Sequence, residues 1–189
     1  MVLNAFNKNG IESQKALEIN KPEIDGGGIS EFKSYSQLTF FNDKTDKIKD
    51  RKIINYQAQN KKGKFDPGLN LEDLSKILSK VYNLKTRVFY AKNNDQNSID
   101  EFRNLLKKTL LDDKNFIIVN FDGKILGNAT RGHISPLATY DEESDSVLVL
   151  DVASHKNQWY FVQVTKLFEA MNSKDGDVYR GYMLVGKNN

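Results

Sequence analysis

Two hydrophobic periods follow one another along this chain, and their order constrains the fold. Leu71, Leu74, Ile77, Leu78 and Val81 recur at helical spacing, which predicts an amphipathic helix over 71–82. Asn70 is a good N-cap for it, and Glu72 and Asp73 suit a first turn whose free N–H groups favour negative charge. Phe102, Leu105, Leu106 and Leu110 repeat the pattern and predict a second helix over 99–111, capped by Ser98. A short strand, 87–91, lies between them. From residue 116 onward the apolar residues gather instead in short β-branched and aromatic runs: 116–121, 133–140, 146–152, 159–164 and 179–185. One helical stretch, 164–171, interrupts them. Helices followed by mostly strands predict an α+β architecture with an antiparallel sheet. No internal repeat or second domain is visible, so residues 1–189 read as one domain.

Composition removes several classes of function. The chain has no cysteine, which excludes disulfides, thiolate-bound zinc and a thiol nucleophile from within these 189 residues. Net charge is +3, but the lysines are scattered among acidic residues rather than gathered on a stripe, which argues against nucleic acid as a partner. The densest basic cluster, Lys61, Lys62 and Lys64, reads as a solvated loop. Gly26-Gly27-Gly28 lacks the spacing of a phosphate-cradling loop. No apolar run reaches the ~18 residues of a membrane-spanning helix. Met1–Phe6 has neither the basic leader nor the apolar length of a signal peptide, and it reads as a helix end stopped by Asn7-Lys8-Asn9-Gly10. The compartment therefore stays open.

The runs 133–140 and 146–152 flank Asp141-Glu142-Glu143-Ser144-Asp145, a polar turn, and together predict a β-hairpin. Folding it about Glu142 and Glu143, with Asp141 facing Ser144, puts His133 opposite Asp151 to within one position. A carboxylate against an imidazole holds the ring in one tautomer and stabilises its charged form, which is the base-and-orienter half of a nucleophilic triad. An ordinary polar pair on a hairpin is the competing reading from spacing alone. Gly132, just before the histidine, permits close backbone approach. Arg131 and Arg180 read as structural or substrate-contacting cations, His155 as a surface residue, and Trp159 as core or pocket wall.

These residues carry a resemblance. Gly132-His133-Ile134-Ser135-Pro136-Leu137, Tyr140 and Leu150-Asp151-Val152-Ala153 resemble the catalytic histidine and aspartate segments of phytochelatin synthases. Phe40-Phe41-Asn42, Gly68-Leu69-Asn70-Leu71-Glu72-Asp73-Leu74, Phe116-Ile117-Ile118-Val119-Asn120, Leu167-Phe168-Glu169-Ala170-Met171 and Arg180-Gly181-Tyr182 resemble further segments of that family in collinear order. The similarity is greatest to the short bacterial-type members. It implies a papain-like cysteine-protease fold and a γ-glutamylcysteinyl transfer or hydrolysis that breaks the Cys-Gly bond of glutathione through an acyl-enzyme. It implies His133 as general base and Asp151 as its orienter. Arg131, Gly132, Ser154 and Arg180 are the candidate substrate contacts. Glutathione and related γ-glutamyl thiol peptides are the expected partners. Heavy-metal ions (Cd, Zn, Cu) are expected as metal–glutathione substrate or activator, with no protein metal site and no required cofactor.

Two departures accompany the resemblance. Met1–Phe6 resembles the end of the family's nucleophile helix, so the cysteine and the oxyanion-stabilising glutamine would lie upstream, and the chain is expected to be N-terminally truncated. After Asp-Val-Ala or Asp-Val-Ser, the family continues with Arg, an aromatic residue, Lys, Tyr and two prolines. Here Ser154-His155-Lys156-Asn157-Gln158-Trp159 follows, and a serine hydroxyl cannot replace a bidentate arginine. A catalytically inactive relative that binds a thiol peptide or a protein is the alternative reading.

Overall fold

The computed structural model describes residues 1–8, 35, 37–55, 57–59, 63, 68–129, 131–153 and 157–188. Ser154, His155, Lys61, Lys62, Lys64 and Gly26–Gly28 lie outside the described residues. The chain divides into two compact units, Met1–Arg51 and Lys52–Asn189.

The described residues of the first unit include two short helices, α1 (Val2–Lys8) and α2 (Gln37–Phe40). The Asn4 side chain ties α1 to Tyr35 from both sides, donating to its carbonyl at 2.9 Å and accepting from its N–H at 2.6 Å. A seven-residue helix is too short to persist by propensity alone. A single-turn 3-10 helix, Thr45–Lys47, follows a turn in which the Asn42 carboxamide oxygen accepts from the N–H groups of Lys44 and Thr45.

The second unit is the α+β part. α3 (Leu71–Lys80) starts where Asn70 Oδ1 accepts from Asp73 N–H at 2.8 Å, and it buries Leu71, Leu74, Ile77 and Leu78. β1 (Leu84–Tyr90) follows, then α4 (Gln96–Thr109). The cap of α4 is Asp95, not Ser98: Asp95 Oδ1 accepts from Ser98 N–H at 2.8 Å. The helix thus begins a turn earlier than its apolar stripe, because polar residues continue a helix once a cap upstream is satisfied. Then come β2 (Asn115–Asp122), β3 (Gly132–Asp141), β4 (Ser146–Val149), β5 (Tyr160–Gln163), α5 (Val164–Met171), β6 (Lys174–Asp175), β7 (Val178–Tyr179) and β8 (Gly181–Lys187).

Six strands form one antiparallel sheet in the order β1-β8-β2-β3-β4-β5, and β6 and β7 form a separate small hairpin. Pleating sends alternate residues to opposite faces. Ile117, Val119, Phe121, Leu137 and Tyr182 meet Phe102 and Leu106 of α4 and Leu167, Phe168 and Met171 of α5. Ile118, Met183 and Val185 turn the other way, where α3 packs across β1 and β8 and Ser75 Oγ meets Thr86 Oγ1 at 2.8 Å. Each side chain fully buried in these layers contributes ~1.5–3 kcal/mol of hydrophobic stabilisation.

The β3–β4 hairpin differs from the sequence expectation. Asp141 pairs with Ser146 rather than facing Ser144, a bulge falls between Leu137 and Tyr140, and β4 ends at Val149 instead of running to residue 152. The reason is local. Asp141 Oδ2 accepts from Ser144 N–H at 3.1 Å and from the Ser144 hydroxyl, and Asp145 takes a positive φ of 49°, so the turn is longer than a two-residue loop.

Candidate active site

His133 and Asp151 meet, though not as cross-strand partners. The last hydrogen bond of the hairpin here runs from Leu150 N–H to the Pro136 carbonyl at 2.9 Å. Asp151 then leaves the ladder, and its side chain reaches back to the ring of His133 near the start of β3. His133 Nε2 lies 2.7 Å from Asp151 Oδ1. An ionised carboxylate only accepts, so Nε2 carries the proton of this bond and Nδ1 is the basic nitrogen of the neutral ring. Nδ1 has no partner among the described residues. The ring sits 5.5 Å from that of Phe121, its neighbour across β2 and β3.

Asp151 is fully buried. Besides His133 it accepts from Ala153 N–H at 2.8 Å on Oδ1 and from Asn157 Nδ2 at 3.0 Å on Oδ2. Burial by itself pushes this carboxyl up. The His133 and Ala153 hydrogen bonds, the charge of His133 and the Asn157 amide together outweigh burial and hold it below the usual carboxylate range. The carboxyl is therefore ionised near neutral pH.

A second polar group lies on the segments next to this pair. Arg180 is buried with 6% of its surface exposed, and its Nη2 would sit 3.5 Å from a Cβ placed on Gly132. The position of Arg180 is set by the next residue. Gly181 packs so tightly on β1 that a Cβ there would come 2.1 Å from the Phe89 carbonyl oxygen. Arg180 Nη1 lies 3.3 Å from Asp175 Oδ2 without hydrogen-bond alignment. Asn120 Nδ2 donates to the same Asp175 oxygen at 3.0 Å. Asn120 Oδ1, Arg180 Nε and Arg180 Nη1 are buried and have no hydrogen-bond partner among the described residues. Ser135 Oγ, two residues beyond His133 on β3, is in the same condition.

Of the candidate contacts named from sequence, Gly132 and Arg180 come together here. Arg131 is exposed, and its carbonyl accepts from Gly123 N–H at 2.7 Å. Trp159 is not core: 60% of its surface is exposed, and it lines an open depression of about 540 Å³ with Asn128, Asn157, Tyr160 and Phe161. Sequence reasoning missed Asn120, Asp175 and Asn157. A lone amide inside the apolar run 116–121 was the available signal for Asn120, because such a group costs ~1–3 kcal/mol unless something binds it. No cluster of three or more His, Asp or Glu able to hold a metal ion occurs among the described residues, and no described helix is long and apolar enough to cross a membrane.

The chain is 34% identical over 95 residues to glutathione gamma-glutamylcysteinyltransferase 2 of Arabidopsis thaliana, a stretch that is 49% of this chain and 21% of the relative. It is 32% identical over 95 residues to glutathione gamma-glutamylcysteinyltransferase 3 of Lotus japonicus, covering 49% of this chain and 20% of that protein. With the glutathione gamma-glutamylcysteinyltransferase of Schizosaccharomyces pombe the identity is 31% over 120 residues, 62% of this chain and 28% of the relative. The aligned stretch thus spans between a fifth and a third of each of these relatives. The family model for phytochelatin synthase matches residues 13–182, a span that takes in His133, Asp151, Asn120, Asp175 and Arg180 together. On that match, the chain belongs to the phytochelatin synthase family.

Proposed function

We propose that this chain supplies the base, its orienting acid and a γ-glutamyl subsite to an acyl transfer from glutathione, on a papain-like version of the α+β fold. The observation that carries the reading is the His133–Asp151 contact at 2.7 Å through Nε2, with Nδ1 left as the basic nitrogen. In this reading His133 Nδ1 takes the proton of a thiol, and the Asp151 carboxylate stabilises the resulting imidazolium. The thiolate forms a bond to the cysteinyl carbonyl carbon of glutathione, the Cys-Gly C–N bond breaks, and His133 returns the proton to the glycine amine. Water or a second γ-glutamyl peptide then takes the acyl group. The 189 residues contain no cysteine, so the thiol in this scheme is one that they do not supply.

The subsite follows from what Arg180, Asn120 and Asp175 lack. A buried guanidinium with two unpartnered nitrogens calls for a carboxylate, and Asp175 with the Asn120 carbonyl oxygen calls for an ammonium group. The α-carboxylate and α-amine of a γ-glutamyl residue carry that pair of charges. Heavy-metal ions enter only as part of a metal–glutathione substrate.

A second reading, binding without turnover, is favoured by the absence of cysteine. Calorimetric titration of the chain with glutathione and γ-Glu-Cys tests the subsite shared by both readings. Heat that disappears in Arg180→Met supports it, and no heat with either peptide overturns it. Glycine release by the protein purified from its source separates the two readings: release selects transfer or hydrolysis, and saturable binding without release selects the second.

A further inference from the structure

We propose that Asn157 is a positioning residue for the His133–Asp151 pair: its amide pins the second oxygen of Asp151 and so fixes how the first oxygen meets the imidazole. The inference rests on the functional reading above, in that it concerns the same base and orienter.

The geometry is that of a clamp. Two residues beyond β4 grip the carboxylate, with Ala153 N–H on Oδ1 at 2.8 Å and Asn157 Nδ2 on Oδ2 at 3.0 Å. Asn157 N–H also donates to the Ala153 carbonyl at 3.1 Å, which ties the two gripping residues to each other. Donors on both oxygens stop the carboxyl group from rotating about its Cβ–Cγ bond, and that rotation is the motion that would swing Oδ1 away from His133. Asn157 is the only donor to Oδ2 among the described residues. Asp151 is fully buried, so removing Asn157 leaves a charged oxygen without a partner. The titratable group that acts on this carboxylate is His133, from β3. The charge of Asp151 in turn raises Tyr160 on β5, whose hydroxyl accepts from Asn128 Nδ2 at 3.0 Å. Neither His133 nor Tyr160 supplies the amide on Oδ2, so the clamp and the charges can be varied separately.

Asn157→Ala removes the donor. Asn157→Asp keeps the shape and replaces the donor with an acceptor, which serves if the alanine variant does not fold. The readouts are the Asp151 carboxyl titration and the solvent exchange of the His133 Nε2–H proton, both by NMR on labelled protein. The expected result is an Asp151 midpoint raised by about one pH unit in Asn157→Ala and by more in Asn157→Asp, with Nε2–H exchange at least ~10-fold faster in both. A merely structural asparagine would lower the melting temperature and leave both readouts at their wild-type values, and that result overturns the proposal. Neither readout requires turnover. A shifted titration in a protein that never releases glycine from glutathione would uphold the clamp while sinking the transfer reading.

Discussion

Two buried polar clusters meet at the Gly132–His133 step and are built on opposite plans. Around Asp151 every acceptor is used: three donors, from His133, Ala153 and Asn157, serve two oxygens. Around Arg180 three buried atoms have no partner among the described residues, and a single Asp175 oxygen is shared by Asn120 and the guanidinium. The first cluster is complete without a ligand and the second is not. The proposed function, in which one pair stays oriented while a charged substrate binds and leaves, needs both kinds. Completeness gives rigidity, and incompleteness gives affinity, because binding energy is recovered from groups already desolvated.

The comparison breaks first on stability. Asp151→Ala strands three donors in a buried site and should cost about 3–5 kcal/mol in urea unfolding. Arg180→Met removes a cation that is already under-partnered and should change unliganded stability by less than about 1.5 kcal/mol in either direction. Equal losses in the two variants would mean that the second cluster is as complete as the first. Ligand sharpens the contrast. At a hundredfold excess over its Kd, γ-Glu-Cys should stabilise the wild type by about 2.7 kcal/mol and leave Arg180→Met unmoved, as read by thermal shift.

A third polar group gives an intermediate case. Arg103 on α4 holds both oxygens of Asp145 at 2.7 Å, and the Tyr140 hydroxyl donates to Asp145 Oδ1 at 2.8 Å. The site is partly exposed and carries no orphan atoms. Asp145→Asn retains a residue tolerant of positive φ and should lose about 1–2 kcal/mol with no effect on ligand binding.

The smallest effect is in pH. The Asp151 carboxyl is depressed in the folded state, so its contribution to stability is present above the unfolded value of about 3.9 and is lost as pH falls through the folded value. Stability of the wild type should therefore fall below about pH 4, and Asp151→Asn should flatten that limb. Tyr140 runs the other way. Burial, and then its bond to Asp145, push it up to about 12, so its contribution is lost as pH rises from about 10 through 12 and should vanish in Tyr140→Phe.

How much of this was legible beforehand varies with the range of the interaction. Helix α3 was readable because cap, first-turn acids and apolar stripe all lie within the same dozen residues. The start of α4 was misread by the same logic, since Asp95 precedes any apolar signal. The proximity of His133 and Asp151 was legible, but the assumed route through strand register was not the one taken. β4 stops at Val149, and the acid arrives from a turn. Asn120 and Asp175 lie 55 residues apart and meet only because β2 and the small β6–β7 hairpin are brought together in space. No local pattern encodes that. Ser154 was singled out for what it replaces, whereas three residues on, Asn157 carries a contact that no spacing rule predicts.

The sheet order also bears on synthesis. β1 is joined to the rest of the sheet only through β8, which lies between it and β2. A ribosome that has released everything through Met171 has delivered β1 to β5 but not the strand that unites them. Until residues 181–187 emerge, the edges of β1 and β2 stay open, and Arg180 and the Gly181 packing that places it do not exist. The half of the site that holds the proposed base can form early in translation; the half proposed to hold the substrate is made last, by closure of the sheet.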